Sequence, residues 1–397
     1  MSDTITTPSG FDVQIGVDEA AGRVGGDAEG FNSFGMNPRT ALARRIISPE
    51  MVQEADALFT RARKGNRYAM LQFEEALSTS DFKLALFAAL DYEIMAKYQE
   101  LPAAWKQYTD ETTVANFKPK TLLDLWAKKV GLDKVDEYQP YRAIDKGDSG
   151  TYTIQVGKYG NRYQISWEAL LNNDGIDEIG SIPDYFAQAA AETEAVIATS
   201  NLVRASGINT NFFKAGNGNA PVTDALTFDN LEKGINVVKA RKSKDGRPMM
   251  SPKLGLVYPP ALDGVVKKIL NLRERRITNG STESVLDNYI AGTVVPIEDP
   301  YLSFINKSAN ADKTWFLVPL QANRKALWVA RLRGHESPEI RVKADGGTYA
   351  GGGQVPAGEG SFDIDDVQYR VRHVFGGTTG DPIATYASDG SVGTAGV

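Results

Sequence analysis

Residues 151–166 read TYTIQVGKYGNRYQIS, and the fold turns on this stretch. Thr151 to Val156 alternates polar and apolar with period two, Gly157-Lys-Tyr-Gly160 breaks the chain, and Asn161 to Ser166 alternates again. Two alternating runs about a glycine-flanked break predict a β-hairpin. The preceding segment, Tyr141 to Gly150, holds few large apolar side chains, so the ribbon has little with which to bury itself on its own domain. An isolated two-stranded ribbon is marginal in water. Its stability must come from a surface it lies upon, and a neighbouring subunit is the expected one. At about 3.3 Å per residue, arms of about twelve residues reach ~40 Å, far enough to leave the parent domain.

Downstream, Ser181, Pro183 and Asp184 supply first-turn chemistry: a capping hydroxyl, a proline whose missing N–H costs nothing there, and a carboxylate at the positive dipole end. They predict a long helix to about Ser206, closed by Gly207, a rod of ~35 Å. Ile182, Phe186, Ala189, Val196 and Val203 mark its apolar face, and small residues at 189–191 would let a sheet approach closely. From about 226 to 335 helix and strand patterns alternate. Leu231, Ile235 and Val238 define one helix, and KLGLVY (253–258) is a strand stopped by Pro259-Pro260. Leu262, Val265, Val266, Ile269 and Leu270 form the next helix, with Arg273, Arg275 and Arg276 expected at its negative end. Strands follow at 292–297, 314–318 and 326–333. The Gly-rich 345–361 reads as a loop. Residues 362–376 alternate, with Val367, Tyr369 and Val371 on one face and Gln368, Arg370 and Arg372 on the other. Asp365-Asp366 reads as a turn between strands, and a polar, Gly-rich tail follows 377.

Upstream, residues 1–38 are polar, Gly-rich and acidic (Asp12, Asp18, Glu19, Asp27, Glu29), an extended or disordered arm. Residues 39–67 turn basic, with Arg39, Arg44, Arg45, Arg61, Arg63, Lys64 and Arg67. These are either a solvated helix face or a contact with nucleic acid or an acidic neighbour. Ser48-Pro49 starts a helix over 50–64, with Met51, Ala55 and Leu58 at i, i+4, i+7. A second helical stretch covers 67–77. Residues 81–105 are apolar enough to anchor on a larger body, with Phe82, Phe87, Tyr92, Tyr98 and Trp105 expected buried.

The 397 residues include 44 basic and 50 acidic side chains, a net charge of −6, with 42% apolar residues and no cysteine. This is ordinary globular composition, without disulfides, thiolate metal sites or a cysteine nucleophile. Two histidines, His335 and His373, cannot make a multi-imidazole zinc site. No apolar run approaches the ~20 residues of a membrane span, and the first residues lack signal-peptide chemistry, so synthesis without secretion is expected. Neither a phosphate-binding glycine loop nor a G-x-S-x-G elbow is present. Asn172-Asn173-Asp174-Gly175 lacks a calcium loop's ligand series and reads as the turn before the long helix. A hydrolase would have to recruit His373 or His335, and neither has an identifiable nucleophile nearby. No catalytic, cofactor-binding or metal-binding residue is expected.

Several short stretches, in one order, resemble the tailed-phage major capsid proteins of the Hong Kong 97 type, a fold shared with encapsulins. Lys158-Tyr-Gly160, Tyr163-x-Ile-Ser166-x-Glu168-x-Leu170, Asn173-Asp174 and Ile182-Pro183 resemble the passage from extension loop into spine helix. Leu256-Val-Tyr-Pro-Pro260 resembles the strand–helix unit of the axial domain. Trp315-Phe-Leu317, Leu332-Arg-Gly334 with Pro338, and Val371-Arg-His-x-Phe-Gly376 resemble the C-terminal signature. Val374 stands where the family often has an acid, and the first 65 residues fall outside the resemblance.

The resemblance implies an α+β capsid fold: an N-terminal arm (1–80), the start of a peripheral domain (81–138), an extended β-hairpin loop (139–167), a spine helix with peripheral domain (168–225), an axial α/β domain (226–335), and C-terminal peripheral strands and tail (336–397). It implies a non-enzymatic protein assembling into pentamers and hexamers of an icosahedral phage head, formed in the host cytoplasm. Expected partners are a portal, a scaffolding protein, decoration proteins and weakly contacted double-stranded DNA. Tyr141, Tyr152, Ile154, Val156, Lys158, Tyr159 and Tyr163 would make the intersubunit contacts of the loop, and Arg39, Arg44, Arg45, Arg61 and Arg63 those of the arm. Some relatives join a loop lysine to an asparagine; Lys146 and Lys158 lie in the right region without a matching partner or acid. An encapsulin-like compartment is the alternative, with a hydrolase or a DNA-binding protein using 39–67 behind it.

Overall fold

Two uninterrupted apolar runs, LGLVY and WFLVP, are buried at every position, the pattern of strands covered on both faces. Around them the computed structural model describes residues 2–6, 12–16, 49–64, 66, 68–69, 72, 94, 97–123, 134–141, 151–166, 174–242, 253–272, 274–279, 282–320, 326–343, 347–348, 354–355 and 366–396.

In chain order the elements begin with β1 (Ser2–Thr6), β2 (Asp12–Gly16), α1 (Pro49–Arg63), β3 (Asp110–Val114), β4 (Lys120–Leu123), β5 (Thr151–Ile154), β6 (Gly157–Tyr159) and β7 (Arg162–Ser166). Then come α2 (Asp174–Thr199), β8 (Val203–Arg204), β9 (Gly207–Ile208), β10 (Val222–Asp224), α3 (Phe228–Ala240), β11 (Leu254–Tyr258) and α4 (Asp263–Asn271). The rest are β12 (Glu274–Asn279), β13 (Thr282–Asp287), β14 (Val294–Glu298), α5 (Tyr301–Ile305), β15 (Trp315–Pro319), β16 (Leu327–Leu332), β17 (Glu339–Lys343), β18 (Gly347–Thr348), β19 (Gln354–Val355), β20 (Asp366–Thr379) and β21 (Tyr386–Val392). The chain forms two units, one of Met1–Pro102, Lys158–Glu192 and Leu332–Val374, the other of Ala103–Gly157, Thr193–Arg331 and Phe375–Val397. Both α2 and β20 are divided between them.

In the first unit the leading part of β20 pairs antiparallel with β17 on one side and β7 on the other. The expected alternation holds: Tyr369 and Val371 are buried while Arg370 is exposed. The inward face meets Ile182, Phe186, Ala187 and Ala190 of α2 together with Phe59 and Ala62 of α1. Alanines at the contact allow the close helix–sheet approach that the small residues foreshadowed. Gly160 has a backbone reason: a Cβ there would stand 2.3 Å from the Val371 carbonyl oxygen.

In the second unit five strands run in the order β10-β21-β15-β11-β14. Here α3 and α4 supply Leu231, Ile235, Val238, Val266 and Ile269 to a core shared with Leu254, Leu256, Trp315, Leu317 and Tyr386. Thr227 caps α3, its hydroxyl accepting from the Asn230 amide at 3.2 Å. A second core gathers Trp105, Phe213, Phe316 and Phe375, with Trp105 edge-on to Phe375 at 5.5 Å.

Several expectations are corrected. The two runs of 151–166 are strands but not each other's partners: β5 pairs with β4, and β7 with β20. Local alternation reports a strand and its faces, and the partners lie elsewhere in the sequence. The long helix begins at Asp174, so Pro183 sits inside it rather than in its first turn, and it ends at Thr199. Gly207 opens β9 with φ +126° instead of closing the helix. Arg275 and Arg276 belong to β12, which pairs with β13 across a two-residue loop, and do not cap α4. The polar tail contains β21, an interior strand.

Candidate assembly interface

The ribbon that leaves the second unit is β4·β5, in the register Lys120↔Ile154 through Leu123↔Thr151. Its root is firm. Ile154 and Val156 are buried, as are Trp105, Tyr108 and Val114 on the segment leading into β4. At the crossing, a Cβ on Gly376 would stand 2.1 Å from the Gln155 carbonyl oxygen, so only glycine admits the strand. Gln155 Nε2 donates to the Phe117 carbonyl at 3.0 Å, and Lys120 Nζ to that of Thr113 at 2.9 Å. Beyond the root the chain opens to solvent: residues 115–121 are exposed, and so are 136–141 in the connection between the strands. Tyr138 is 96% exposed and Tyr141 89%.

Of the residues expected to reach a neighbour, Tyr141, Lys158 and Tyr159 are exposed and Tyr152 half-buried. Ile154 and Val156 are consumed by the chain's own core, and Tyr163 packs partly on the core of the first unit. The β strands that carry them answer to separate partners, which splits the expected group between root and sheet. Arg61 is exposed on α1, its Nε donating to the Ala57 carbonyl at 3.2 Å. Arg63 lies in the same helix, its side chain outside the described residues along with Arg39, Arg44, Arg45 and Lys146. Sequence reasoning missed Tyr138 and the β4 strand; an exposed aromatic beside Pro140 in an acidic stretch was the available signal.

Two buried acids brace the units. In the second, Asp299 Oδ2 accepts from the hydroxyls of Tyr108 at 2.7 Å and Thr199 at 2.8 Å, and Oδ1 from the Tyr301 amide at 2.9 Å. Burial raises the Asp299 carboxyl above its ordinary value against the pull of those hydrogen bonds, and burial likewise raises the Tyr108 phenol, helped by Asp299. In the first unit Glu339 accepts from Arg372 Nη2 at 2.6 Å and is hydrogen-bonded to His335 Nδ1. Burial works to raise this carboxyl, but His335 and Arg372 outweigh it and hold it below the ordinary range. Alongside β3, Arg331 makes a two-point contact with buried Glu194 at 2.7 and 3.4 Å and sits 5.3 Å over the Phe375 ring.

Among the described residues no group of His, Asp and Glu could hold a metal ion, and no helix is long and apolar enough to cross a membrane. His373 is buried edge-on to Tyr98, with ring centroids 6.0 Å apart.

No curated protein sequence matches the chain. Among solved structures it is similar to the capsid of a native GTA particle, with 14% identity, 72% of this chain and 90% of that chain covered, and a TM-score of 0.43. It is similar to a Gordonia phage Cozz structure at 15% identity, 73% and 91% coverage and TM-score 0.40. The holo-SrpI encapsulin complex from Synechococcus elongatus PCC 7942 matches at 11% identity, 74% and 89% coverage and TM-score 0.41. The family model described as phage capsid protein matches residues 151–388. That span begins at β5 and runs through α2, the five-stranded sheet and most of β21, more than half of the sequence, and the chain belongs to the phage capsid protein family.

Proposed function

We propose that this capsid protein closes an icosahedral phage head of the Hong Kong 97 type by laying the β4·β5 ribbon, residues 120–154, across an adjacent copy. The observation that carries the reading is the contrast along one ribbon. Its root is locked by Ile154, Val156 and Gly376, while Tyr138 and Tyr141 stand in solvent at the far end. Burying two tyrosines of this kind gives a subunit contact of useful strength, since each buries 150–250 Å² and aromatic anchors dominate interface energetics. Many such contacts, repeated by symmetry, sum to a closed shell of pentamers and hexamers.

In this arrangement the first unit serves as the peripheral domain and the sheet with α3 and α4 as the axial domain. The arm and Arg39, Arg44, Arg45, Arg61 and Arg63 add further subunit contacts. Portal, scaffolding and decoration proteins complete a virion assembled in the host cytoplasm around double-stranded DNA. Electron microscopy of the expressed full-length chain tests the reading, with or without a co-expressed scaffold. Hollow particles are expected, and a chain lacking 124–150 is expected to give none. Particles of normal size from the deleted chain would refute the ribbon's role. Nucleic acid inside purified particles supports the phage head, and protein cargo the encapsulin-like compartment. Hydrolysis through His373 would require opening the core that buries it.

A further inference from the structure

The outward face of the sheet in the first unit carries a row of arginines. Antiparallel pairing sets Arg341 of β17 opposite Arg370 of β20, and Arg370 opposite Arg162 of β7. Directly opposed residues share a face, so three guanidinium groups stand in line across three strands spaced about 4.8 Å apart. Arg162 and Arg370 are exposed, as is 39% of the Arg341 side chain. Lys343 and Arg372 share this face, with Gln164 and Gln368 beside them. Its acids among the described residues, Glu339 and Asp366, are buried and engaged by Arg372 and Gln368. Like charges directly opposed weaken a sheet. In a chain of net charge −6, composition does not account for such a row.

The ribbon's connection carries the complementary chemistry. Residues 134–141 read KVDEYQPY, with Asp136 and Glu137 exposed beside the two exposed tyrosines. Tyr138 has φ +63°, a left-handed conformation that bulky residues rarely adopt and that marks a site where strain is kept for a purpose. Guanidinium groups offer both halves of a match: paired donors for carboxylates and flat faces for aromatic rings.

We propose that residues 134–141 of one copy dock on the Arg341–Arg370–Arg162 row of a second copy, carboxylates accepting from the guanidinium groups and tyrosine rings stacking on them. This rests on the reading that the ribbon crosses to an adjacent copy, and it names the surface that receives it. A nucleic-acid backbone would use the arginines but leave Tyr138 and Tyr141 in water.

The test is charge exchange in the full-length chain, read as particle yield by electron microscopy and sedimentation. Arg162→Glu/Arg370→Glu and Asp136→Arg/Glu137→Arg should each lower the yield about tenfold, since like charges brought together across an interface repel. The chain carrying all four substitutions, and an equimolar mixture of the two double variants, should both return to within about threefold of the parent. Arg162→Gln/Arg370→Gln should stabilise the unassembled subunit while lowering yield, a combination that a merely structural row would not give. Unchanged yield in either charge-reversed variant, or no recovery with all four substitutions, overturns the proposal. Recovery with all four but not in the mixture would place the contact within one chain. Normal assembly of Arg162→Glu/Arg370→Glu with loss of retained nucleic acid would reassign the row to phosphate. Should the 124–150 deletion still assemble, the ribbon reading itself falls; should only the charge variants assemble normally, that reading stands and this one falls.

Discussion

Asp299 and Glu339 are both buried acids, and their surroundings send them in opposite directions. Asp299 is met by two hydroxyls and a backbone amide, none of them cationic, and burial raises its carboxyl. Glu339 is met by Arg372 and His335, which overcome burial and lower it. The difference teaches that the partner's charge, more than depth, decides how a buried carboxyl behaves. It also separates two kinds of bracing, one of neutral hydrogen bonds at the root of the ribbon and one of ion pairs on the sheet that faces α2.

The largest effect expected on that comparison comes from Asp299→Ala. It leaves the Tyr108 and Thr199 hydroxyls and the Tyr301 amide without their acceptor in a closed core, costing about 3–4 kcal/mol by urea denaturation at neutral pH. Glu339→Ala should cost about 2–3 kcal/mol; the orphaned Arg372 side chain retains 25% exposure, which moderates the penalty of an unpaired buried charge. If Glu339→Ala proves the more damaging, neutral bracing is the weaker kind and the comparison inverts. Tyr108→Phe removes one donor and should cost about 1 kcal/mol.

The smallest effects sharpen the comparison through pH. A lowered carboxyl stabilises the fold above its ordinary value and loses that contribution as pH falls through its folded value, so Glu339 favours the fold above about pH 4.5. A raised carboxyl does the reverse: the Asp299 contribution is complete below about pH 3.8 and declines as pH rises through its folded value. The two slopes oppose one another in the parent chain. Glu339→Gln should therefore unmask a stability that falls with rising pH, and Asp299→Asn one that falls with falling pH. Urea midpoints across the acid range check both signs.

Much of the architecture is legible in local pattern. LGLVYPP predicts a buried strand and its stop, and the Tyr369/Val371 against Arg370/Arg372 alternation predicts which face of β20 meets α2. What local pattern does not contain is pairing. The partner of Tyr163 is Tyr369 and that of Tyr152 is Leu122, and no alternation within 151–166 distinguishes these from each other. The pair Asn279-Gly280 before Ser281 was a hairpin signal for β12·β13, obscured because the arginines suggested a helix end. β21 was hidden by composition: YASDGSV has too few apolar residues to read as an interior strand, and it is buried because strands on either side cover it. For the candidate interface, the exposed ribbon and Tyr141 were legible, whereas the division of Ile154 and Val156 into a root required the fold.

The position of β21 also sets the timing of manufacture. It is the last of the five strands to be synthesised, yet it lies between β10 and β15. Until residue 392 has cleared the ribosome, Trp315, Phe316 and Leu317 lack the neighbour against which they pair. A nascent chain therefore holds an open, apolar sheet edge throughout translation, which exposes it to premature aggregation and makes it a natural client for a chaperone. Shell building accordingly starts from released polypeptides and not from a polysome, which keeps subunit supply and capsid growth as separate steps.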